Sequence, residues 1–511
     1  MGGYENSNER IAKNTLALYA RSIIVMLVSL YTSRIVLKTL GADDFGIYNI
    51  VGTVVVLFSF IQGAMATAVQ RYLNFELGRD DKNAVSRIFS ISMTVHLMIA
   101  LIVVILSETV GLWFLNTQMQ IPPERHTAAQ WAYQFSVLTC CVNILRIPYN
   151  ASIIAYEKMS FYAYVSILEV ILKLGVVFLL VLSNGDRLIL YSALMLIVTI
   201  IISIAYMVFC HRKFTTCNFS LFWDKQLFIE IFGFSAWSLF GSMANLGASQ
   251  GINVLLNIFC GVAVNAAMGL AQQVNSAVNQ FITNFQTAFA PQLVKLYARN
   301  QQEEFIRLIF RSSKLSYFLI LLIGLPVLAY TRPLLSIWLH NVPEYTIQFT
   351  RLMILFSMID ALSGPLWNSV QATGKIRNYQ ILMSSIIALN VPAAYVILKL
   401  GGNPITVLAV RVLINFVTHA VRVIYLNRLF EFPSLAYIRN IMFRIILVSA
   451  LTLPLPLLMS YKIPSPPIWM LLLFLILIVF QTAALVFIFG LSKDERGAIV
   501  SGVRQKISMY I

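Results

Sequence analysis

The chain has 511 residues, of which 59% are hydrophobic and only 11% are charged. A soluble globular domain carries about 25% charged residues, so most of this protein's surface is not expected to face water. The net charge of +16 comes largely from basic residues in short segments between apolar runs. That placement argues against a nucleic-acid partner and is typical of membrane topology signals.

Apolar runs long enough to cross a bilayer recur along the whole chain. Because backbone polar groups in hydrocarbon must be satisfied within the segment, such runs are expected to be helices. The predicted fold class is an all-α polytopic membrane protein with about 14 transmembrane helices. The predicted spans are 14–38, 47–69, 88–110, 128–149, 162–183, 187–209, 229–255, 263–290, 315–337, 347–371, 380–399, 404–426, 442–461 and 467–490.

The distribution of lysine and arginine predicts the orientation of these spans. With the N-terminus inside, the inner segments hold 23 basic residues, whereas the outer loops and the outer ends of the spans together hold six. Such an excess marks the cytoplasmic side, so both termini are expected to be cytoplasmic.

A weak internal repeat predicts two related halves. Residues 41–46 and 261–266 each follow a span and lie 220 residues apart, with six spans in each half. An even number of spans gives the halves the same orientation, as in many carriers. We expect an N-terminal six-helix lobe, an inter-lobe linker, a C-terminal six-helix lobe, and two extra helices with a cytoplasmic tail, at 1–210, 211–228, 229–430 and 431–511.

Several basic residues lie inside predicted spans, where a charge costs about 2.5–3.5 kcal/mol and usually faces a cavity or a partner. Arg21 and Arg34 in the first span have no carboxylate between them, and Arg411 lies in the twelfth. These three are expected to face a hydrated, positively charged cavity that binds the substrate.

Two carboxylates inside spans are candidates for ion coupling. Asp360 in the tenth span has no evident partner, and is equally consistent with a structural hydrogen bond. Glu169 in the fifth span has Lys173 four residues later on the same helix face, so the two can form a self-neutralised structural pair.

The stretch 231–294 has no charged residue in 64 positions, yet it contains 13 Asn and Gln. In the seventh and eighth spans the amides recur at steps of three and four residues, which places them on one helix face. Amides donate and accept hydrogen bonds and so suit sugar hydroxyls, although they can equally bond neighbouring helices. The candidate cavity residues are Asn245, Asn253, Gln272, Asn275, Asn279 and Gln286.

Enzyme signatures are absent from the sequence. It has no P-loop, no H-E-x-x-H, no G-x-S-x-G and no glycine-rich nucleotide fingerprint. Its five cysteines have no metal-site spacing. We therefore expect a secondary transporter rather than an enzyme, without a catalytic residue, cofactor or metal.

Three stretches resemble a known family. They are the N-terminal region from Asn14 to Val36 with the following segment Leu40–Tyr48, the motif Gln70–Tyr72, and the motif Gln371–Lys375. They resemble bacterial polysaccharide transporters, the O-antigen type (lipid-linked oligosaccharide) flippases of the multidrug/oligosaccharidyl-lipid/polysaccharide (MOP) exporter superfamily.

The resemblance implies two six-helix lobes around a central cavity lined by spans one, two, seven and eight. It implies a flippase for polyprenyl-diphosphate-linked oligosaccharides in the bacterial cytoplasmic membrane, working by alternating access in surface polysaccharide synthesis. The expected partners are this lipid-linked substrate, membrane lipids, a coupling proton or sodium ion, and the glycan polymerase and glycosyltransferases of the pathway. In related flippases two C-terminal helices form a lipid-accepting groove, which here would be spans thirteen and fourteen.

Two other functions are alternatives to this one. A MATE-like multidrug cation antiporter generally needs a carboxylate in its central cavity, whereas residues 231–290 of spans seven and eight include none. A membrane glycan polymerase or ligase relies on a large extracytoplasmic loop, and the predicted outer loops here are short.

Overall fold

The computed structural model describes most of the chain, and every regular element in the described part is a helix. The predicted first span and residues 47–58 of the second lie outside the described part, apart from separate positions between 15 and 48. Arg34 is also outside the described residues. The described residues are those separate positions and 59–117, 122–183, 185–220, 224–339, 342–493 and 495–497.

We number the described helices in chain order, independently of the predicted spans. Helix α2 contains a π-turn at Ser107–Gly111, and α11 is interrupted at Leu389. The helices are α1 Ser59–Gly78, α2 Lys82–Thr117, α3 His126–Ala155, α4 Met159–Leu182, α5 Arg187–Lys213, α6 Lys225–Cys260, α7 Val262–Ala298, α8 Gln302–Ala329, α9 Thr331–Leu339, α10 Thr346–Thr373, α11 Arg377–Lys399, α12 Pro404–Phe430, α13 Ser434–Lys462 and α14 Ile468–Gly490.

Eleven of the described helices are long and apolar enough to cross a membrane. They correspond to predicted spans three to seven and nine to fourteen. The predicted eighth span is the 37-residue helix α7, whose amides make it too polar to join the eleven. The prediction of an all-α polytopic membrane protein is confirmed.

Helices α7 and α8 extend well beyond their predicted spans. The inner segment predicted at 291–314 is mostly helical, because α7 continues to Ala298 and α8 begins at Gln302. A helix keeps its hydrogen-bond ladder where its side chains become polar. Lys295 in the last turn of α7 and Glu303 in the first turn of α8 also complement the helix dipoles.

The chain folds as two compact units that do not follow the order of the sequence. Helices α6, α7, α10 and α11 each contribute residues to both units. The first unit comprises Met1–Ser242, Thr287–Gln301 and Gln371–Arg377, and the second comprises Met243–Gln286, Gln302–Val370 and Asn378–Ile511. The lobe boundaries drawn from the sequence remain a prediction.

Large apolar side chains cover the outside of many helices. On α14, Trp469 is 69% exposed and Phe480 is 74% exposed, while Ile478 between them is fully buried. Water-soluble proteins rarely expose contiguous apolar surface of this extent. These helix faces are therefore the surface that lies against lipid.

A buried ion pair ties α7 to the α3–α4 turn within the first unit. The Lys295 Nζ lies 2.7 Å from the Glu157 Oε1, and the Gln292 Nε2 donates to the other carboxylate oxygen at 3.4 Å. The Glu157 side chain is only 2% exposed. Its backbone has a left-handed φ of +58°, an uncommon conformation for glutamate, so the contact holds a locally strained turn.

A second ion cluster joins three separate segments of the first unit. Arg125 binds Asp44 through two nitrogens and lies 2.7 Å from Asp186. Burial raises the pKa of Asp186, but hydrogen bonds from Arg125 and from two backbone N–H groups outweigh burial and hold the pKa below its usual value. Asp186 also caps the N-terminus of α5.

Candidate functional site

The amide-rich segment folds as a tight helical hairpin. Only Gly261 separates α6 from α7, and its φ of +84° is one that glycine adopts readily. The Gly261 N–H donates to the Asn257 carbonyl at 2.9 Å. The hairpin therefore brings the C-terminal end of α6 beside the N-terminal end of α7, and the amides of the two helices meet there.

The part of the amide stripe farthest from the hairpin turn bonds a neighbouring helix. The Asn279 Nδ2 donates to the Ser357 Oγ at 2.8 Å, and that hydroxyl donates to the Asn275 Oδ1 at 2.7 Å. The Gln286 Nε2 donates to the Ala361 carbonyl at 3.4 Å. These three amides therefore form hydrogen bonds to a neighbouring helix, α10, which is the second of the two roles expected for the amides.

The part of the stripe nearest the turn borders a cavity of about 390 Å³. Asn253 lines it and accepts a hydrogen bond from the Gln272 Nε2 at 3.3 Å. Asn245 is an exposed residue of α6 outside this lining. We call this space the amide cavity; it is lined by Gln250, Asn253, Val254, Asn257, Ile258, Asn265 and Gly269.

Three lining amides, Gln250, Asn257 and Asn265, were not among the residues singled out from the sequence. The helical spacing that would have identified them is present in the sequence. Gln250, Asn253 and Asn257 follow steps of three and four residues on α6, and Asn265 and Gln272 lie two turns apart on α7. What the sequence did not show is how tightly the hairpin turns at position 261.

Asp360 and Arg411 lie in the second unit. Asp360 is exposed, and within the described residues it makes no ion pair shorter than 4 Å, although Arg411 and Arg422 attract its carboxylate electrostatically. The Arg411 guanidinium lies over the Phe356 ring at 4.8 Å. Its Nη1 is buried without a hydrogen-bond partner in the described part of the chain.

Arg21 and Glu169 lie in the first unit. The Arg21 guanidinium lies over the Tyr162 ring at 4.6 Å, and its Nε has no hydrogen-bond partner among the described residues. Glu169 forms the expected pair with Lys173 at 2.6 Å, and Arg146 approaches its second oxygen at 3.9 Å. The Glu169 charge is thus already balanced by neighbouring cations.

A family model described as polysaccharide biosynthesis protein matches residues 11–297, more than half of the chain. The chain belongs to the polysaccharide biosynthesis protein family. Among curated proteins no sequence matches it. This family and the structural similarities below place the chain in the MOP exporter superfamily.

Solved structures share the fold of this polysaccharide biosynthesis family member at low sequence identity. A MATE family multidrug resistance transporter of the MOP superfamily, in an outward-facing conformation, is similar with a TM-score of 0.71 at 13% identity, over 82% of this chain and 95% of that one. A MOP superfamily transporter from Pyrococcus furiosus, described as having a binding pocket of reverse polarity, is similar with a TM-score of 0.67 at 14% identity. The similarity covers 84% of this chain and 96% of that one. The chain therefore shares the fold of MOP-type membrane transporters.

Two of the motifs that carried the family resemblance contact each other. The Arg71 Nη2 donates to the Ala372 carbonyl at 3.2 Å, and the guanidinium lies over the Tyr72 and Phe75 rings. Gly374 has a φ of +76°, and a Cβ added there would lie 2.6 Å from the Arg71 Nη2. A glycine at 374 therefore serves both the turn and the arginine in this polysaccharide biosynthesis family member.

Proposed function

We propose that the protein is a flippase for polyprenyl-diphosphate-linked oligosaccharide repeat units in the bacterial cytoplasmic membrane. It supplies a surface polysaccharide, namely O-antigen, capsule or exopolysaccharide. The observation that carries the proposal is the uncharged amide cavity in a member of the polysaccharide biosynthesis family. Sugars present many hydroxyls, which amides satisfy as both donors and acceptors.

The arginines are assigned to the charged part of the substrate. A guanidinium binds phosphate oxygens through paired, charge-assisted hydrogen bonds. Arg21 and Arg411 each carry a buried nitrogen without a partner among the described residues, so both retain capacity to bind an anion. Together with Arg34 they are proposed to hold the diphosphate or acidic sugars while the polyprenyl tail stays in lipid.

A proton or sodium gradient is the proposed energy source. Asp360 is the favoured coupling carboxylate, because its own unit places no cation within 4 Å of it among the described residues. Glu169 is the second candidate and the less suited one, since Lys173 and Arg146 already balance its charge. Alternating access would then expose the bound glycan on the opposite side of the membrane.

The protein is proposed to work with the glycosyltransferases that build the lipid-linked unit and the polymerase that consumes it. Its termini are proposed to face the cytoplasm, on the basis of the 23 inner and six outer basic residues. This orientation places the hairpin turn at Gly261 on the outer side.

A gene deletion tests the proposal. The strain is expected to lose its surface polysaccharide and to accumulate lipid-linked repeat units in the cytoplasmic leaflet, with rescue by the wild-type gene. Complementation by Arg21→Ala is expected to be weaker than by Arg187→Ala, the matched change of an exposed arginine at the start of α5. Unchanged surface glycan in the deletion strain would contradict the proposed function.

The fold supports one competing function, a multidrug cation antiporter, because MATE transporters share it with a TM-score of 0.71. The deletion strain separates the two. If the protein is an antiporter, the deletion strain should become more sensitive to cationic drugs and keep normal surface glycan. If it is a flippase, the strain should lose surface glycan and keep its normal drug sensitivity.

A further inference from the structure

The amide cavity is built on two rigid helix faces. On α6 its residues alternate with Ile252 and Leu256, and both of these are fully buried. On α7 the corresponding buried positions recur at steps of three and four residues. The buried faces pack into one apolar core of the second unit, whose members include Ile252, Leu256, Val264, Ala267, Met268 and Ala271.

Close packing behind the cavity fixes α6 in place. A Cβ added at Gly251 would lie 2.7 Å from a methyl group of Val391 on α11, so the α6 backbone approaches α11 as closely as glycine allows. The turn at Gly261 fixes the second wall relative to the first. The cavity is therefore preformed within the second unit, as small-molecule sites usually are.

The cavity wall presents hydrogen-bonding groups in both senses. Gln272 donates to Asn253, and Asn253 donates to the Gln250 Oε1 at 3.2 Å. This series of hydrogen bonds leaves the side-chain NH₂ group of Gln250 as a free donor. The side chains of Asn257 and Asn265 form no hydrogen bond to another described residue. Each of these two keeps one carbonyl oxygen and one NH₂ group for a ligand.

All seven lining residues are uncharged, and two of them are aliphatic. An acidic sugar placed here would lose hydration without gaining a counter-charge from the lining, which is costly. A cationic drug would likewise find no carboxylate there. A neutral sugar ring matches the lining, because its hydroxyls meet the amides and its C–H face meets Val254 and Ile258.

We propose that the amide cavity is a binding subsite for one uncharged, hydroxyl-rich sugar residue of the transported glycan. The inference rests on the proposed flippase function and deepens it, by separating a neutral-sugar subsite from the arginines assigned to anionic groups. With the proposed orientation the subsite lies near the outer surface, where it holds the glycan before release.

The subsite is tested by blocking its volume. A Cβ added at Gly269 meets no atom within 4 Å, so Gly269→Leu is expected to fold normally and to fill the cavity. Gly175→Leu is the matched control, because Gly175 on α4 is equally free of neighbours and does not line the cavity. The double variant Asn257→Ala/Asn265→Ala removes hydrogen-bonding groups instead of space.

The measurement is saturation-transfer NMR on the full-length protein in nanodiscs, with galactose and N-acetylglucosamine as neutral probes and glucuronate as the acidic probe. We expect signals from neutral sugars in the wild type and Gly175→Leu, and their loss in Gly269→Leu and the double variant. Glucuronate is expected to give a several-fold weaker signal than the neutral sugars. Neutral-sugar signals that survive Gly269→Leu, or that are absent from the wild type, would overturn the subsite.

The gene-deletion experiment distinguishes a wrong subsite from a wrong flippase function. If the wild-type gene restores surface glycan and Gly269→Leu restores it equally well, the flippase function stands and the subsite is wrong. If deletion leaves surface glycan intact, the proposed function itself is wrong, whatever the NMR result.

Discussion

Replacing Lys295 by methionine is expected to destabilise the first unit strongly. The substitution keeps the length of the side chain but removes the Lys295 ammonium from the Glu157 carboxylate, which is only 2% exposed. Breaking a buried ion pair from one side costs about 3–5 kcal/mol, because the remaining charge stays desolvated. For a protein of 511 residues the unfolding entropy is about 1 kcal/mol/K, so we expect the apparent melting temperature to fall by about 3–5 °C.

The assay is thermal unfolding of a fluorescent-protein fusion followed by size-exclusion chromatography. The double variant Glu157→Gln/Lys295→Met should recover most of the loss, since it leaves no buried charge unpaired. Asp80→Asn is the matched control: Asp80 is 87% exposed and lies 3.9 Å from Arg299, so this pair should contribute less than about 1 kcal/mol. A Lys295→Met protein as stable as the wild type would refute the reasoning.

Three further changes have expected outcomes. Ser357→Ala removes both hydrogen bonds to the α7 amides and should cost about 1–2 kcal/mol in thermal unfolding, whereas Ser385→Ala, whose hydroxyl bonds its own helix, should cost less. The pKa of Asp186 is lowered in the folded protein, so its contribution to stability is present above the unfolded pKa of about 3.9. That contribution is lost as the pH falls through the folded pKa. The difference in melting temperature between wild type and Asp186→Asn should therefore shrink below about pH 4. Asp360→Asn should abolish the gradient dependence of flux in proteoliposomes, and full gradient dependence in this variant would remove Asp360 as the coupling group.

The helical type of the described spans could be predicted from the sequence, because hydropathy and length determine it. Helix ends could not. The predicted eighth span stopped at 290, shortly before the first charged residue at Lys295, but α7 runs on to Ala298, because hydrogen bonds and dipole-matched charges extend a helix past its apolar part.

The amide stripe shows the corresponding limit for the site. Its periodicity placed the amides on one face, but Asn279 and Asn253 have different roles in the structure. Asn279 meets Ser357 of α10, 78 residues away, while Asn253 borders an open cavity. Which neighbour a helix face meets depends on tertiary packing, and no local pattern in the chain contains that information.

The central claim is that the protein moves a lipid-linked glycan across a membrane, and reconstitution tests it most directly. Purified protein is placed in liposomes whose polyprenyl-diphosphate oligosaccharide is labelled on the inner leaflet, and a glycosidase is added outside. Cleavage that depends on the protein, and that Gly269→Leu slows more than Gly175→Leu, is the result we expect. No protein-dependent cleavage, together with gradient-driven uptake of a cationic dye, would contradict the account and favour the antiporter.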